Sequence, residues 1–203
     1  MTVSVVVAIL AKGGPVMIPL LACSVLSLAV VLERAWFWWR ARAAGIGERV
    51  LQLAAAGKWE DAIEHACASP SPQARVLTAG LAYREAGATL AMEAAARHEV
   101  SRMRRALPVL DTIITLSPLL GLLGTVTGMI GAFGVMATTG INQPHAITGG
   151  VAEALIATAA GLGIAIATLP AYNYFLARAE RALDEVERHG TRLELLLTGG
   201  EPR

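Results

Sequence analysis

Three long stretches of this chain contain no charged side chain, and this feature restricts the possible folds more than any other. Residues 13–32 form the first stretch, twenty residues without Asp, Glu, Lys or Arg. Residues 112–152 form the second and residues 154–177 the third. An α-helix needs about twenty apolar residues to cross the hydrocarbon core of a bilayer. The sequence therefore predicts a membrane protein rather than a soluble domain.

The middle stretch is too long for one crossing, and it is interrupted at residues 138–145 by polar and turn-forming side chains. We expect the second helix to end there. Aromatic clusters of the kind that settle at the headgroup level follow the first stretch at residues 36–39 and the third at residues 172–175. The predicted fold class is an all-α membrane protein with three transmembrane helices and long helices extending into the cytoplasm.

The distribution of cations predicts the orientation of the chain. Residues 40–105 contain ten Lys and Arg and the tail from Arg178 contains five, whereas the opposite side contains only Lys12. Basic segments stay on the cytoplasmic side. The segments follow as residues 1–12, a periplasmic N-terminus; 13–39, transmembrane helix 1; 40–107, a cytoplasmic helical domain; 108–138, transmembrane helix 2; 139–149, a periplasmic loop; 150–177, transmembrane helix 3; and 178–203, a cytoplasmic C-terminal helix.

The basic middle segment has apolar residues at helical spacing, with breaks at Gly57, at residues 69–72 and at Gly87. We predict three or four amphipathic helices, the last of which continues toward the second span and bends near Pro108. The tail carries an apolar seam at steps of four and three. This seam packs either against the chain's own middle segment or against another subunit. Its members are Ala179, Leu183, Val186, Gly190, Leu193 and Leu197.

Small side chains repeat at helical spacing in the second and third spans, so each predicted helix has one face made of small residues. Such a face allows another helix to come very close, and helix packing alone would explain every glycine in it. The face of the second span contains Gly121, Thr125, Gly128 and Ala132, and the face of the third contains Thr158, Gly161, Ala165 and Thr168.

Glu153 is the only carboxylate inside the predicted third span. Charged groups at membrane depth are costly and usually mark an ion path, so we expect a function for Glu153, in titration, in subunit contact or at a pore entrance. Threonine hydroxyls order water but cannot hold a proton at physiological pH. A proton path lined by Thr125 and Thr158 therefore needs a titrating group from Glu153, from Asp111 or from a second protein.

Three segments carry a resemblance to a known family. They are KGGPVMIPLLACSVLSLAVVLER in the first span, LSPLLGLLGTVTGMIGAF in the second and GGVAEALIATAAGLGIAIATLPAYNYF in the third. These segments resemble the MotA/TolQ/ExbB proton channel family, in particular its ExbB/TolQ branch, because the flagellar stator branch has four spans. The resemblance implies that Thr125 and Thr158 are the two pore threonines and that Glu153 is the family's glutamate in the third span.

The resemblance also implies an assembly in the bacterial inner membrane. In it, five copies of the chain enclose the transmembrane helices of a small ExbD- or TolR-like partner, whose membrane aspartate takes up and releases the proton. The proton motive force then drives a TonB- or TolA-like protein. Protons are the transported ion, and no other cofactor, metal or nucleic acid is expected. The small residues expected to line the pore are Gly121, Gly128, Ala132, Gly161, Ala165 and Thr168.

The main alternative is a non-conducting membrane scaffold for envelope or motility machinery, in which the small faces only pack helices. An enzyme is the weaker alternative. The glycines of residues 121–128 lack the Lys-Ser/Thr pair of a phosphate-binding loop, and Ser117 precedes a proline instead of occupying a nucleophile elbow. The sequence predicts no catalytic site.

Overall fold

The structure is a computed structural model that describes residues 13–41, 45–139 and 144–199. Within these ranges the chain forms seven α-helices and no β-strand, which confirms the predicted all-α fold class. The segment predicted as the periplasmic N-terminus, residues 1–12, lies outside the described residues. The helices are α1, Met17–Arg40; α2, Ile46–Ala55; α3, Trp59–Cys67; α4, Pro72–Ala82; α5, Ala88–Arg104; α6, Leu107–Thr139; and α7, Pro144–Leu197.

Three helical stretches are long and apolar enough to cross a membrane, as the charge-free runs predict. They lie in α1, in the stretch that contains α6, and in α7. Large apolar side chains on these helices are exposed, among them Leu26, Leu122, Ile130 and Ile166. Because water does not tolerate a surface of this kind over whole helices, the outer faces of these helices require lipid or another protein chain.

The chain divides into two compact units. The membrane unit comprises the described residues of Met1–Leu32 and Ala106–Asn173, and the polar unit those of Glu33–Arg105 and Tyr174–Arg203. In the membrane unit, the start of α1 packs on α7 through Met17, Leu20 and Ala157. Leu20 and Ala157 are fully buried in this contact.

The predicted bend near Pro108 is a break between two helices. Helix α5 ends at Arg104, Arg105 is extended with ψ of 135°, and Ala106 has a left-handed φ of 65°. Helix α6 starts at Leu107, so Pro108 lies in its first turn, where the missing N–H of proline has no intrahelical partner to lose. The proline therefore starts a new helix instead of bending an existing one.

Helix α7 is longer than the predicted third span at both ends. It begins at Pro144, six residues before the expected boundary at residue 150, and it continues to Leu197 as one helix of 54 residues. Residues 140–143 of the predicted outer loop lie outside the described residues. The predicted third span and C-terminal helix are therefore parts of a single helix.

An apolar core in the polar unit is shared by its four short helices and the end of α7. Amphipathic α2, α3 and α4 contribute most of it, and α4 begins with Ser71 accepting a hydrogen bond from the Ala74 N–H. Val186 and Leu193 of the tail seam are buried in the same core. The seam thus packs against the chain's own middle segment, the first of the two alternatives. The buried residues of α2 to α4 are Val50, Leu51, Ala54, Ala62, Ala66, Ala74, Val76, Leu77 and Leu81.

His189 of α7 is buried against the start of α2. A Cβ atom added to Gly47 would lie 2.6 Å from His189 Nδ1, so the glycine makes room for the imidazole. Nδ1 is buried and has no hydrogen-bond partner among the described residues. Burial lowers the pKa of His189 below its ordinary value and the Arg188 guanidinium lowers it further, against the opposing effect of Glu185.

This environment predicts a pH-dependent stability of the chain. The unfolded chain binds a proton at His189 near pH 6.5, whereas the folded chain binds it only at lower pH. The free energy of unfolding should therefore fall as the pH drops below 6.5, by at most about 1.4 kcal/mol per pH unit for one proton. The thermal midpoint of the full chain in detergent, followed by near-UV circular dichroism, measures this fall.

His189→Gln should flatten the profile between pH 6.5 and 4.5, and His98→Gln, which changes an exposed histidine, should leave it unchanged. The paired carboxylate of Glu48 does not interfere in this range. Hydrogen bonding from Arg192 lowers its pKa below 4.5, so its stabilisation is present above that pH and is lost only below it. An unchanged slope in His189→Gln would contradict the assignment.

Candidate functional site

Helices α6 and α7 are in backbone contact at Gly161. A Cβ atom added to Gly161 would lie 2.4 Å from the Ser117 carbonyl oxygen, a distance that real Cβ atoms do not reach. A Cβ atom added to Gly121 would lie 3.0 Å from the Thr158 Cα and 3.1 Å from the Ala157 carbonyl oxygen. Backbone therefore meets backbone here, and no larger residue fits at Gly161 without moving a helix.

The same contact continues from residue 117 to residue 132 of α6. A Cβ atom added to Gly124 would lie 2.4 Å from the Ala157 Cβ, and one added to Gly128 would lie 2.9 Å from the Gly150 carbonyl oxygen. One turn further along α6, the Cβ of Ala132 would lie 2.8 Å from a Cβ atom added to Gly150. As the residue number rises along α6, the partner's number falls along α7, so the two helices are antiparallel.

The two predicted pore threonines lie on this contact or beside it. Thr158 is half-buried, and its hydroxyl donates a hydrogen bond of 3.0 Å across the helix pair to the Gly121 carbonyl oxygen. The Thr125 hydroxyl donates a hydrogen bond of 2.6 Å to the Leu122 carbonyl oxygen of its own helix. Since Thr125 follows Gly121 by four residues, it lies on the same face about 6 Å further along α6. The structure therefore brings the two hydroxyls to neighbouring levels of one helix pair.

The other small residues of the predicted face are buried within the single chain. Gly121, Gly128, Ala132 and Gly161 lie in the contact between α6 and α7. Thr168 is 4% exposed and its hydroxyl bonds to the Ile164 carbonyl oxygen of its own helix, and Ala165 is also buried. This burial shows helix packing by the face, and its role in lining a pore stays a prediction.

Glu153 lies close to the segment that precedes α1. A Cβ atom added to Gly14 would lie 1.7 Å from Glu153 Oε1, and Gly14 has a left-handed φ of 71°. The carboxyl group therefore occupies the space that any other residue at position 14 would need. Gly14 is three residues from the start of α1, where the helix dipole favours a negative charge. Asp111, the second candidate carboxylate, is exposed in the second turn of α6.

Some residues of this site were not predicted from the sequence. Ser117 and Gly124 lie on the same helical face as Gly121, at four residues before and three after it, so the spacing rule could have included them. Gly150 and Ala154 extend the face of α7 in the same way. The sequence around Gly14, a pair of glycines before a proline, indicates a turn but not a contact with Glu153. That contact could not be predicted because it joins distant parts of the chain.

No group of three His, Cys, Asp or Glu side chains that could hold a metal occurs in the part of the chain that the structure describes. The site consists of hydroxyl groups, backbone carbonyls and one carboxyl group. Hydroxyls and carbonyls order water and pass hydrogen bonds, and a carboxyl group can also bind and release a proton. This set of groups is typical of an ion or proton path rather than of covalent catalysis.

Three helices that are long and apolar enough to cross a membrane, a small-residue contact between two of them and a carboxyl group within the third are typical of a helical membrane transport protein. Comparison with known proteins specifies the class further. A sequence model of the MotA/TolQ/ExbB proton channel family matches residues 68–188. The chain belongs to this family, within its ExbB/TolQ branch.

Three relatives show the extent of the similarity. A biopolymer transport protein named ExbB-like 1, from Synechocystis sp., is 40% identical over 195 residues, which cover 91% of this chain and 76% of the relative. ExbB-like 3 of the same organism is 35% identical and is covered over 91% of both chains. The Tol-Pal system protein TolQ of Pseudomonas aeruginosa is 43% identical over 46% of this chain and 41% of its own length.

The contact at Gly161 predicts a sharp difference between two glycines of the same helix. Gly161→Ala places a methyl group against the Ser117 carbonyl oxygen and should destabilise the protein by about 1–3 kcal/mol. Gly163→Ala is the matched control, since nothing lies within 4 Å of the added methyl group. The thermal midpoint in detergent measures both variants, and equal midpoints would show that the α6–α7 contact is not rigid.

Proposed function

We propose that this chain is the proton-channel subunit of an inner-membrane motor that converts the proton motive force into mechanical work. The observation that carries the proposal is the pair of threonine hydroxyls, Thr158 and Thr125, at neighbouring levels of the α6–α7 contact. Both residues are only half-buried within the single chain. A chain of water along this edge would meet hydroxyl groups in an otherwise apolar span.

A path of this kind needs a group that holds the proton. Because threonine cannot do so, a carboxyl group must take up and release it. In our proposal the main carboxylate is supplied by the membrane aspartate of an ExbD- or TolR-like partner, whose helix lies within a pentamer of this chain. Glu153, about 7.5 Å along the helix axis from Thr158, serves the entrance to the path or titrates itself. Each proton delivers about 2.3 kcal/mol per 100 mV.

The basic polar unit lies in the cytoplasm and the N-terminus in the periplasm, because cationic segments stay inside. Proton flow moves the partner within the pentamer, and a TonB- or TolA-like protein carries the force toward the outer membrane. The names of the relatives, ExbB-like and TolQ, support this output. The alternative, a non-conducting scaffold, is supported by the burial of the small faces in helix packing.

Replacement of Thr158 tests the path. Thr158→Val keeps the side-chain shape and removes the hydroxyl, so we expect proton flux to fall by an order of magnitude or more. The measurement is proton uptake by liposomes that contain this chain and its small partner under an imposed potential. The lost bond to the Gly121 carbonyl should cost only about 1 kcal/mol, so assembly should be retained.

Two matched variants make this result specific. Thr158→Ser keeps the hydroxyl and should conduct, and Thr127→Val removes an exposed hydroxyl that bonds within its own helix and should also conduct. Normal flux in Thr158→Val would exclude a role for this hydroxyl. Flux that is absent from every preparation, with and without the partner, would support the scaffold.

Glu153→Gln separates titration from packing. The amide has nearly the size of the carboxyl group that lies against Gly14, so the fold should be kept while the charge is lost. We expect a severe loss of flux and a thermal midpoint close to that of the unchanged protein. Full flux would remove titration of Glu153 from the mechanism. A fall of the midpoint with normal flux would assign the residue to the packing of α1 on α7.

A further inference from the structure

The polar unit contains a pocket at the end of the first membrane helix. Its volume is about 280 Å³, and it lies between the last turns of α1, the loop that precedes α4, and helices α4 and α5. The side chains that matter for its chemistry are two aromatic rings, three guanidinium groups and one carboxyl group. They belong to Trp36, Phe37, Arg40, Arg75, Arg102 and Glu33.

The pocket has more positive than negative charge. Arg75 and Arg102 share a single carboxylate, Glu99, at 3.0 and 2.9 Å, and the Glu99 side chain is only 3% exposed. Glu33 is paired with the buried Arg34. Arg40 forms no ion pair with any carboxylate in the part of the chain that the structure describes. With Arg34 and Glu99 included, four guanidinium groups face two carboxylates, which leaves an excess of two positive charges.

The aromatic rings hold these cations at the pocket. The Arg40 guanidinium lies 5.5 Å from the centre of the Trp36 ring, and the Arg102 guanidinium lies 6.0 Å from that of Phe37. Both distances are within the range of cation–π attraction. Trp36 is nevertheless 60% exposed, which is unusual for a large ring in water and common at a membrane surface.

The position of the pocket along α1 indicates what it meets. The charge-free run ends at Leu32, so Trp36 lies about 6 Å and Arg40 about 12 Å further along the helix. The polar headgroup layer of a bilayer is about 5–7 Å deep on each side. The tryptophan therefore lies at headgroup depth, and the long arginine side chains can extend back to it.

We propose that this pocket binds the phosphate group of an anionic phospholipid such as phosphatidylglycerol. Guanidinium groups recognise phosphate oxygens with paired hydrogen bonds, and the excess of positive charge selects a lipid with net negative charge over a zwitterionic one. The bound lipid anchors the end of α1 and α5 to the membrane surface. This proposal does not depend on proton conduction. Inorganic phosphate has the same chemistry, and the experiment below separates the two sources.

The test uses the full chain in detergent, titrated with phosphatidylglycerol and separately with phosphatidylcholine, and native mass spectrometry counts the lipids retained. We expect retention of phosphatidylglycerol but not of phosphatidylcholine. Arg40→Gln should weaken it about fivefold, the scale for one arginine near a membrane surface. Arg104→Gln is the matched control, because it removes an exposed arginine two residues from Arg102 that does not line the pocket.

Three results would overturn the proposal. Equal retention of the two lipids would show that charge is not recognised, and equal weakening by Arg40→Gln and Arg104→Gln would show only a general attraction to basic residues. Displacement of phosphatidylglycerol by millimolar inorganic phosphate would assign the pocket to a free anion instead of a lipid. Lipid retention that is insensitive to phosphate and specifically reduced in Arg40→Gln, with an unchanged thermal midpoint, would support it.

Discussion

The close approach of α6 and α7 at Gly161 is the constraint on which the membrane unit depends. Lipid tails are as apolar as leucine, so no hydrophobic force holds two helices together within a bilayer. Dispersion contacts and interhelical hydrogen bonds must do so, and both require short distances. Gly161 against the Ser117 carbonyl, and the Thr158 hydroxyl on the Gly121 carbonyl, provide these distances.

This contact limits where a water path can run. The glycines and alanines at the centre of the contact are buried between backbones, so no water column fits between α6 and α7 of one chain. A path must follow the edge of the contact, where Thr125 and Thr158 are half-buried, and its opposite wall must come from other chains. The exposed apolar side chains of α6 and α7 provide the surface that those chains would cover. Packing and conduction are therefore compatible uses of the same small-residue face.

The sequence allowed the spans and the helix contact to be predicted because both depend on local rules. A run without charges predicts a crossing, and spacing of Gly121 and Gly128 predicts a shared face. The contact of Gly14 with Glu153 could not be predicted in this way, since it joins residues far apart in sequence and follows no period. The sequence did not decide which surface the tail seam packs against, for the same reason. An amphipathic stripe indicates that a helix needs a packing partner, but it does not identify that partner.

The break between α5 and α6 depends on a nearby proline and on a distant arginine, Arg34. A continuous helix through Pro108 would leave the Arg104 carbonyl without a donor, because proline has no N–H. The chain instead breaks at Ala106, whose left-handed backbone costs about 1–2 kcal/mol, and the carbonyls of Arg102 and Met103 lose their helical donors.

Arg34 replaces those donors. Its guanidinium bonds to the Arg102 carbonyl at 2.9 Å and to the Met103 carbonyl at 3.4 Å. The side chain is only 2% exposed, and a cation buried to this extent is tolerated because Glu33 and the partly negative end of α5 balance its charge. Proline explains why the helix cannot continue smoothly. The arginine, which lies 68 residues before Arg102, supplies a donor to two of the carbonyls that the break leaves without a helical N–H.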